Sequence, residues 1–200
     1  MEQIRSFIAI ELPEKLKLAL GRLEVQLKSG MQPWVKWVDT DSIHLTLKFL
    51  GNVSTDKLGE IARVMEEAAQ GIPPFHLEAK SLGVFPNLKR VQVVWVGISG
   101  EVEELGRLQQ RIESSLAHLG FAPESRLFKP HLTLARLRNQ PSFNERQRFG
   151  QLIANTRFEA AYTIKVDAIN LMRSQLTREG AIYSLISSAK LKKPLPTATA

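Results

Sequence analysis

His44-Leu45-Thr46-Leu47 is followed by Lys48-Phe49-Leu50-Gly51, and His131-Leu132-Thr133-Leu134 is followed by Ala135-Arg136. Two of the chain's four histidines therefore sit in one tetrapeptide, repeated 87 positions apart. Each copy lies in an apolar-alternating run, the pattern of a strand. Successive strand side chains point to opposite faces. His44, Thr46 and Lys48 are thus expected on one face, with Ile43, Leu45, Leu47 and Phe49 on the other. In the second copy His131, Thr133 and Ala135 share a face, opposite Leu132 and Leu134. The leucine faces belong in a core. Each His/Thr face offers an imidazole and a hydroxyl roughly 6–7 Å apart, and two such strands face to face would present four groups to one small ligand.

Outward from these motifs, 6–10 reads as a buried strand. Pro13 opens a helix with an apolar stripe of Leu16, Leu18, Leu20, Leu23 and Leu27, ending near Gly30. Residues 34–38 alternate as a short strand, and the first His/Thr strand ends at Gly51-Asn52. Ser54 or Thr55 caps a helix through about Ala69. A strand over 75–84 leads to a turn at Phe85-Pro86-Asn87, and 91–97 is strongly strand-like. A helix over 101–119 closes at Gly120. Pro141 and Ser142 open a charged helix to about Asn155. One long strand is expected over 158–171 and a last one over about 181–187, with a turn at 177–180.

The order strand, helix, His/Thr strand, helix, strand fills about 5–84 and recurs in about 91–171. The 87-residue offset also carries Phe7 onto Val94 and Gly71 onto Phe158. This predicts an α+β fold with mostly antiparallel sheets, built as two topologically similar lobes. If the lobes pack about a pseudo-twofold, the His/Thr strands meet at its axis, and the cleft between lobes is the favoured ligand site. Residues 1–190 are read as one bilobal domain and 191–200 as a flexible tail.

Composition narrows the chemistry. The apolar fraction of 44% and charged fraction of 24% are those of a globular protein. The net charge of +7 suits a polyanion such as nucleic acid. With no cysteine, disulfides, thiolate metal sites and thiol nucleophiles are excluded. The N-terminal stretch is too short and acidic for a signal peptide, and no apolar run reaches the ~20 residues of a membrane span. A cytoplasmic location and no membrane partner are expected. Nothing resembling a coiled coil or a long exposed edge argues for a dimer, so a monomer is expected.

Histidine can serve as acid or base near neutrality. Two of them flanking a phosphodiester could divide the work, one taking a proton from water and the other giving one to the departing oxygen. Threonine hydroxyls could donate hydrogen bonds to phosphoryl oxygens. A zinc site would need a third and a fourth ligand, and none is evident beside one histidine per strand. His76 and His118 read as structural residues, His118 at a helix end where a cation suits the dipole.

The whole set resembles the two-histidine phosphoesterase superfamily, and within it the RNA 2′,3′-cyclic phosphodiesterases, historically called 2′-5′ RNA ligases. The likeness runs from Arg5-Ser6-Phe7-Ile8-Ala9-Ile10-Glu11-Leu12-Pro13 through Trp37-Val38 and the first motif block. It continues through Phe85-Pro86, Val94-Trp95-Val96-Gly97 and 128–136, and ends with Arg173-Ser174 and Tyr183. The resemblance implies a bilobal fold with the active site between lobes. It implies hydrolysis of a terminal 2′,3′-cyclic phosphate on RNA to a 2′-phosphate, with no metal or cofactor, tRNA fragments being among the candidate substrates. In this chain it implies His44 as proton donor and His131 as proton acceptor, with Thr46 and Thr133 on the non-bridging oxygens. Arg136 resembles an arginine that follows the second motif in relatives, although alternation puts it on the leucine face. Lys48, on the histidine face, is the second phosphate-binding candidate. A small cyclic nucleotide as substrate, ligation in the reverse direction, and a non-catalytic nucleotide-binding role stand as alternatives.

Overall fold

The computed structural model describes residues 2–28, 32–138, 141–158, 162–177 and 180–193. In the first half of the chain the elements are β1 (Gln3–Ile10), α1 (Glu14–Leu27), β2 (Val35–Trp37), β3 (Leu45–Ser54), α2 (Leu58–Ala69) and β4 (Phe75–Phe85). The second half gives β5 (Val93–Gly100), α3 (Val102–Ala117), β6 (His131–Leu137), α4 (Phe143–Asn155), β7 (Tyr162–Val166), β8 (Ala168–Leu176) and β9 (Ala181–Lys190). The fold is α+β, with two antiparallel sheets of order β3-β1-β8-β9 and β2-β6-β5-β4-β7. None of the described helices is long and apolar enough to cross a membrane.

Helix α1 starts directly after Pro13, whose missing N–H costs nothing at a helix start. Leu16, Leu20, Leu23 and Leu27 are buried, but Leu18 is 61% exposed. Two residues from Leu16 is 200° around a helix, so Leu18 cannot share its stripe. Its expected end at Gly30 lies outside the described residues. Helix α4 has the capping box that its opening residues suggest. The Ser142 hydroxyl accepts from the Glu145 backbone N–H, and the Glu145 carboxylate accepts from the Ser142 N–H.

The lobes are not the halves of the chain. By the offset, β4 corresponds to 162–172, which spans β7 and the first half of β8, yet β4 pairs with β5 and β8 pairs with β1. Each half hands its third strand to the other half's sheet, so β3-β1-β8 matches β6-β5-β4. This is also why the long strand expected over 158–171 is two strands. The chain breaks at Asp167 and crosses between sheets, β7 joining β4 and β8 joining β1. Beyond β9, Leu191 is buried and Lys192 bridges to Gln70, so the chain is still packed where a tail was expected from 191. Residues 194–200 lie outside the described residues.

The two His/Thr strands each carry a bulge at the same place. In β3, Thr46 pairs with Ala9 and Lys48 with Ile8, leaving Leu47 unmatched. In β6, Thr133 pairs with Trp95 and Ala135 with Val94, leaving Leu134 unmatched. An extra residue resets the alternation. Leu47 and Lys48 are both buried, as are Leu134 and Ala135, and the next residues, Phe49 and Arg136, come out on the opposite face. The same pairings relate Ala9 to Trp95 and Ile8 to Val94, so the offset in the partner strands is 86, not the 87 that carried Phe7 onto Val94. Strands β3 and β6, which carry the two motifs, approach within 8 Å, Cα to Cα, although they belong to different sheets.

Candidate active site

His44 stands immediately ahead of β3, and His131 is the first residue of β6. Their rings are held the same way. His44 Nδ1 lies 2.8 Å from the Ser42 carbonyl and His131 Nδ1 lies 2.6 Å from the Lys129 carbonyl, each two residues back. A carbonyl can only accept, so Nδ1 carries the proton of the neutral ring and Nε2 is left as the atom that gains or loses one. The local sequence arranges this by two routes. Pro130 has its φ fixed by its ring and biases Lys129 to extended backbone. Ile43, in the matching position, follows a short 3-10 turn at Thr40–Ser42 and takes φ −76° and ψ 130°, the region a proline would adopt.

Each imidazole has aromatic walls. The Phe7 ring stacks on His44 with centroids 4.5 Å apart, and Tyr183 stands edge-on to it at 5.1 Å. His131 has Phe85 edge-on at 5.0 Å and Trp95 at 6.4 Å. Burial under these walls pushes the His44 pKa below its ordinary value, against a smaller opposing effect of the Ser42 carbonyl bond. Burial pushes the Tyr183 hydroxyl up, while the charges of Arg136 and Arg5 pull it back. Tyr183 belongs to one sheet and Arg136 to the other, so Arg136 acts on the wall of His44 from the opposite sheet.

Thr46 and Thr133 are partly exposed on the same faces as their histidines. Arg136 joins them, because the bulge at Leu134 cancels the alternation that had assigned it to the core face. Lys48 does not. The bulge at Leu47 turns it inward, where it is 3% exposed, pairs with Glu113 and donates to the Ala122 carbonyl. It therefore cannot meet a ligand in the cleft. Phe49, expected in the core, is 60% exposed. With Arg5, Phe7, Ser174 and Tyr183 it lines a cavity of about 160 Å³ that continues from the walls of His44 along the sheet. Phe7 and Trp95 escape sequence reading as site residues because their strands look uniformly buried. Among the described residues no group of three or more His, Asp or Glu is placed to hold a metal ion.

Known proteins resemble the chain in sequence and in fold. A family model described as the 2'-5' RNA ligase superfamily matches residues 15–178. An RNA 2′,3′-cyclic phosphodiesterase of Methanothermobacter thermautotrophicus is 34% identical over 182 residues, which cover 91% of this chain and 96% of that one. A protein of the same name from Thermotoga maritima is 31% identical over 184 residues, 92% and 93% of the two chains. Among solved structures, E. coli LigT complexed with 3'-AMP matches with a TM-score of 0.77 and 25% identity, covering 96% of this chain and 100% of that one. TT0787 of Thermus thermophilus shares the fold with a TM-score of 0.76 over 95% and 99% of the two chains, at 24% identity. With the paired motifs, the matched bulges and these relatives in hand, the chain belongs to the 2'-5' RNA ligase superfamily.

Proposed function

We propose that this protein hydrolyses the 2′,3′-cyclic phosphate at an RNA end to a 2′-phosphate, with His44 and His131 as a metal-independent acid–base pair. The observation that carries the reading is the shared restraint of the two rings. Both Nδ1 atoms are tied to backbone, both Nε2 atoms are left for exchange with a ligand, and their strands abut. The names of the relatives support the substrate class.

In the step we envisage, His131 Nε2 takes a proton from water as the water oxygen bonds to phosphorus. The bond from phosphorus to the 3′-oxygen breaks, and His44 Nε2 gives its proton to that oxygen. One proton enters the pair and one leaves, so the histidines finish exchanged and must reset through solvent. Thr46 and Thr133 hydroxyls donate to the non-bridging oxygens, and Arg136 faces the same charge. The cavity beside Phe7, Tyr183 and Phe49 is smaller than a whole nucleoside, and it offers aromatic walls to part of the terminal one. His44 must be charged to act as donor, yet burial favours its neutral form. The bound anionic phosphate supplies the opposing charge that raises its pKa in the complex. Run backwards with their roles reversed, the same groups would let the 3′-hydroxyl attack its own 2′-phosphate and expel water, closing the cyclic ester; with a 5′-hydroxyl in place of water, the forward step would join two strands through a 2′-5′ linkage.

The test is a short RNA ending in 2′,3′-cyclic phosphate, incubated with the protein in EDTA, with the product identified. A 2′-phosphate formed by wild type and reduced at least ~10²-fold in both His44→Ala and His131→Ala supports the pair. Intact RNA overturns the reading. Turnover of a cyclic mononucleotide alone would then point to a small substrate, and no turnover at all to a binding module.

A further inference from the structure

Lys36 lies directly opposite Arg136 where β2 pairs with β6. The flanking pairs, Val35 with Leu137 and Trp37 with Ala135, include the buried Val35 and Ala135, so their side chains face the core. By alternation Lys36 and Arg136 both face the other way, onto the surface that carries His131 and Thr133. Like charges directly opposite one another in an antiparallel pair are destabilising. Neither residue takes part in an ion pair among those of the described residues. The carboxylate of Glu145 approaches this end of the sheet, and it is taken up by the Ser142 hydroxyl and backbone N–H and by the Trp34 side chain. Residues 32–38, 79–100 and 125–144 contain no Asp or Glu. Arg138, at the end of β6, donates its backbone N–H to the Trp34 carbonyl, and Arg90 sits in the turn before β5, so more cations gather at this end of the sheet.

A charge count decides what the pair is for. A cyclic phosphodiester carries one negative charge. A protonated histidine and Arg136 already exceed it, and Lys36 has no charge to meet at that position. Along β6, Arg136 lies roughly 7–10 Å from Thr133, two to three residues at about 3.3 Å each. That is a displacement on the scale of one nucleotide.

We propose that Lys36, beside Arg136, forms a second phosphate subsite that takes the internucleotide phosphodiester preceding the cyclic end, so that the cleft selects an RNA strand over a cyclic mononucleotide. This rests on the function proposed above and adds to it a residue and a direction. The strand leaves the histidines over β6 and β2, toward Arg138 and Arg90. A phosphate on the pair removes the cross-strand repulsion, so the contact is strongest where two charges had opposed each other.

The experiment compares wild type, Lys36→Ala and Lys36→Arg on two substrates, a 2′,3′-cyclic mononucleotide and a trinucleotide with the same cyclic end. Lys36→Ala is expected to lower kcat/KM roughly tenfold on the trinucleotide, mostly through KM, and to leave the mononucleotide unchanged. Lys36→Arg should restore most of the loss. In parallel, binding of a fluorescent trinucleotide ending in a 3′-phosphate is followed against salt. Lys36→Ala should reduce the slope of log affinity against log salt by about 0.7, the loss of one phosphate contact. Equal losses on both substrates, or none on either with an unchanged salt slope, overturn the subsite. If wild type turns over neither substrate, the hydrolase reading fails alone, and the salt slope still decides for or against Lys36.

Discussion

Lys48 and Glu113 form a buried ion pair at 2.5 Å, tying β3 to α3 one residue past the bulge that follows the first motif. Glu113 also accepts from Gln109 Nε2 and from the Glu124 backbone N–H, and Lys48 also donates to the Ala122 carbonyl. Removing one partner leaves a charge buried without compensation, which costs about 3–5 kcal/mol. Lys48→Ala and Glu113→Ala should each lower the denaturant midpoint accordingly. The double change Lys48→Met with Glu113→Leu should recover most of that stability, because an apolar pair of similar volume removes both charges together. Equilibrium urea unfolding distinguishes these outcomes.

His44 makes stability depend on pH. Its folded-state pKa is lowered by burial from an ordinary value of 6.5. Over the window between the lowered value and 6.5 the unfolded chain binds more protons than the folded one, so stability falls as the pH drops through that window. Unfolding free energies measured across it should rise with pH in wild type, and the rise should shrink in His44→Phe, which keeps a ring between Phe7 and Tyr183.

Phe7 is the wall that dries His44. Phe7→Ala should admit water, move the His44 pKa back up toward its ordinary value and cost about 3–5 kcal/mol of stability. Titration of the His44 ring protons by NMR reports the first effect. Phe7→Leu keeps an apolar cover and should shift the pKa less.

Arg136 should be felt at Tyr183. Its charge holds the Tyr183 hydroxyl lower than burial alone would. Arg136→Ala should therefore raise the Tyr183 pKa, a change seen in the ultraviolet titration of tyrosinate. The same substitution should lower kcat/KM on both cyclic mononucleotide and RNA ends.

Gly83 gives Trp95 the space to lie beside His131. A Cβ built on Gly83 would stand far inside van der Waals contact with the Trp95 ring. Gly83→Ala should displace Trp95, cost roughly 1–3 kcal/mol as an overpacked site, and lower kcat. Intrinsic tryptophan fluorescence should shift with it.

Much of this was legible from the repeated tetrapeptide, because a strand pattern with two histidines in identical local contexts admits few other readings. The start of α1 after Pro13 and the Ser142 cap of α4 followed from ordinary helix-start chemistry, whereas α2 begins only at Leu58, after a 3-10 turn at Thr55–Lys57, with no side-chain cap from Ser54 or Thr55. The misplacements share one cause. Alternation assumes an unbroken pleat, and the bulges at Leu47 and Leu134 break it immediately after each motif. Lys48 was lost to the core, Phe49 was gained by the cleft, and Arg136 moved to the ligand face. Lys36 was visible as the cation of an alternating segment, but its partner was not, since a cross-strand pairing joins residues far apart in the chain. The break at Asp167 was hidden because β7 and β8 are both apolar and continuous in sequence.

The exchange of β4 and β8 sets the order in which the molecule can be finished. The sheet behind His44 takes its last two strands from 168–176 and 181–190. During synthesis the first motif therefore waits, unsupported on one side, until residues 168–190 have left the ribosome. The sheet behind His131 also needs β4 from the first half. Neither half holds all the strands of one sheet, and a truncation before residue 168 would strip β8, β9 and the Tyr183 wall from the sheet behind His44 while leaving every strand behind His131.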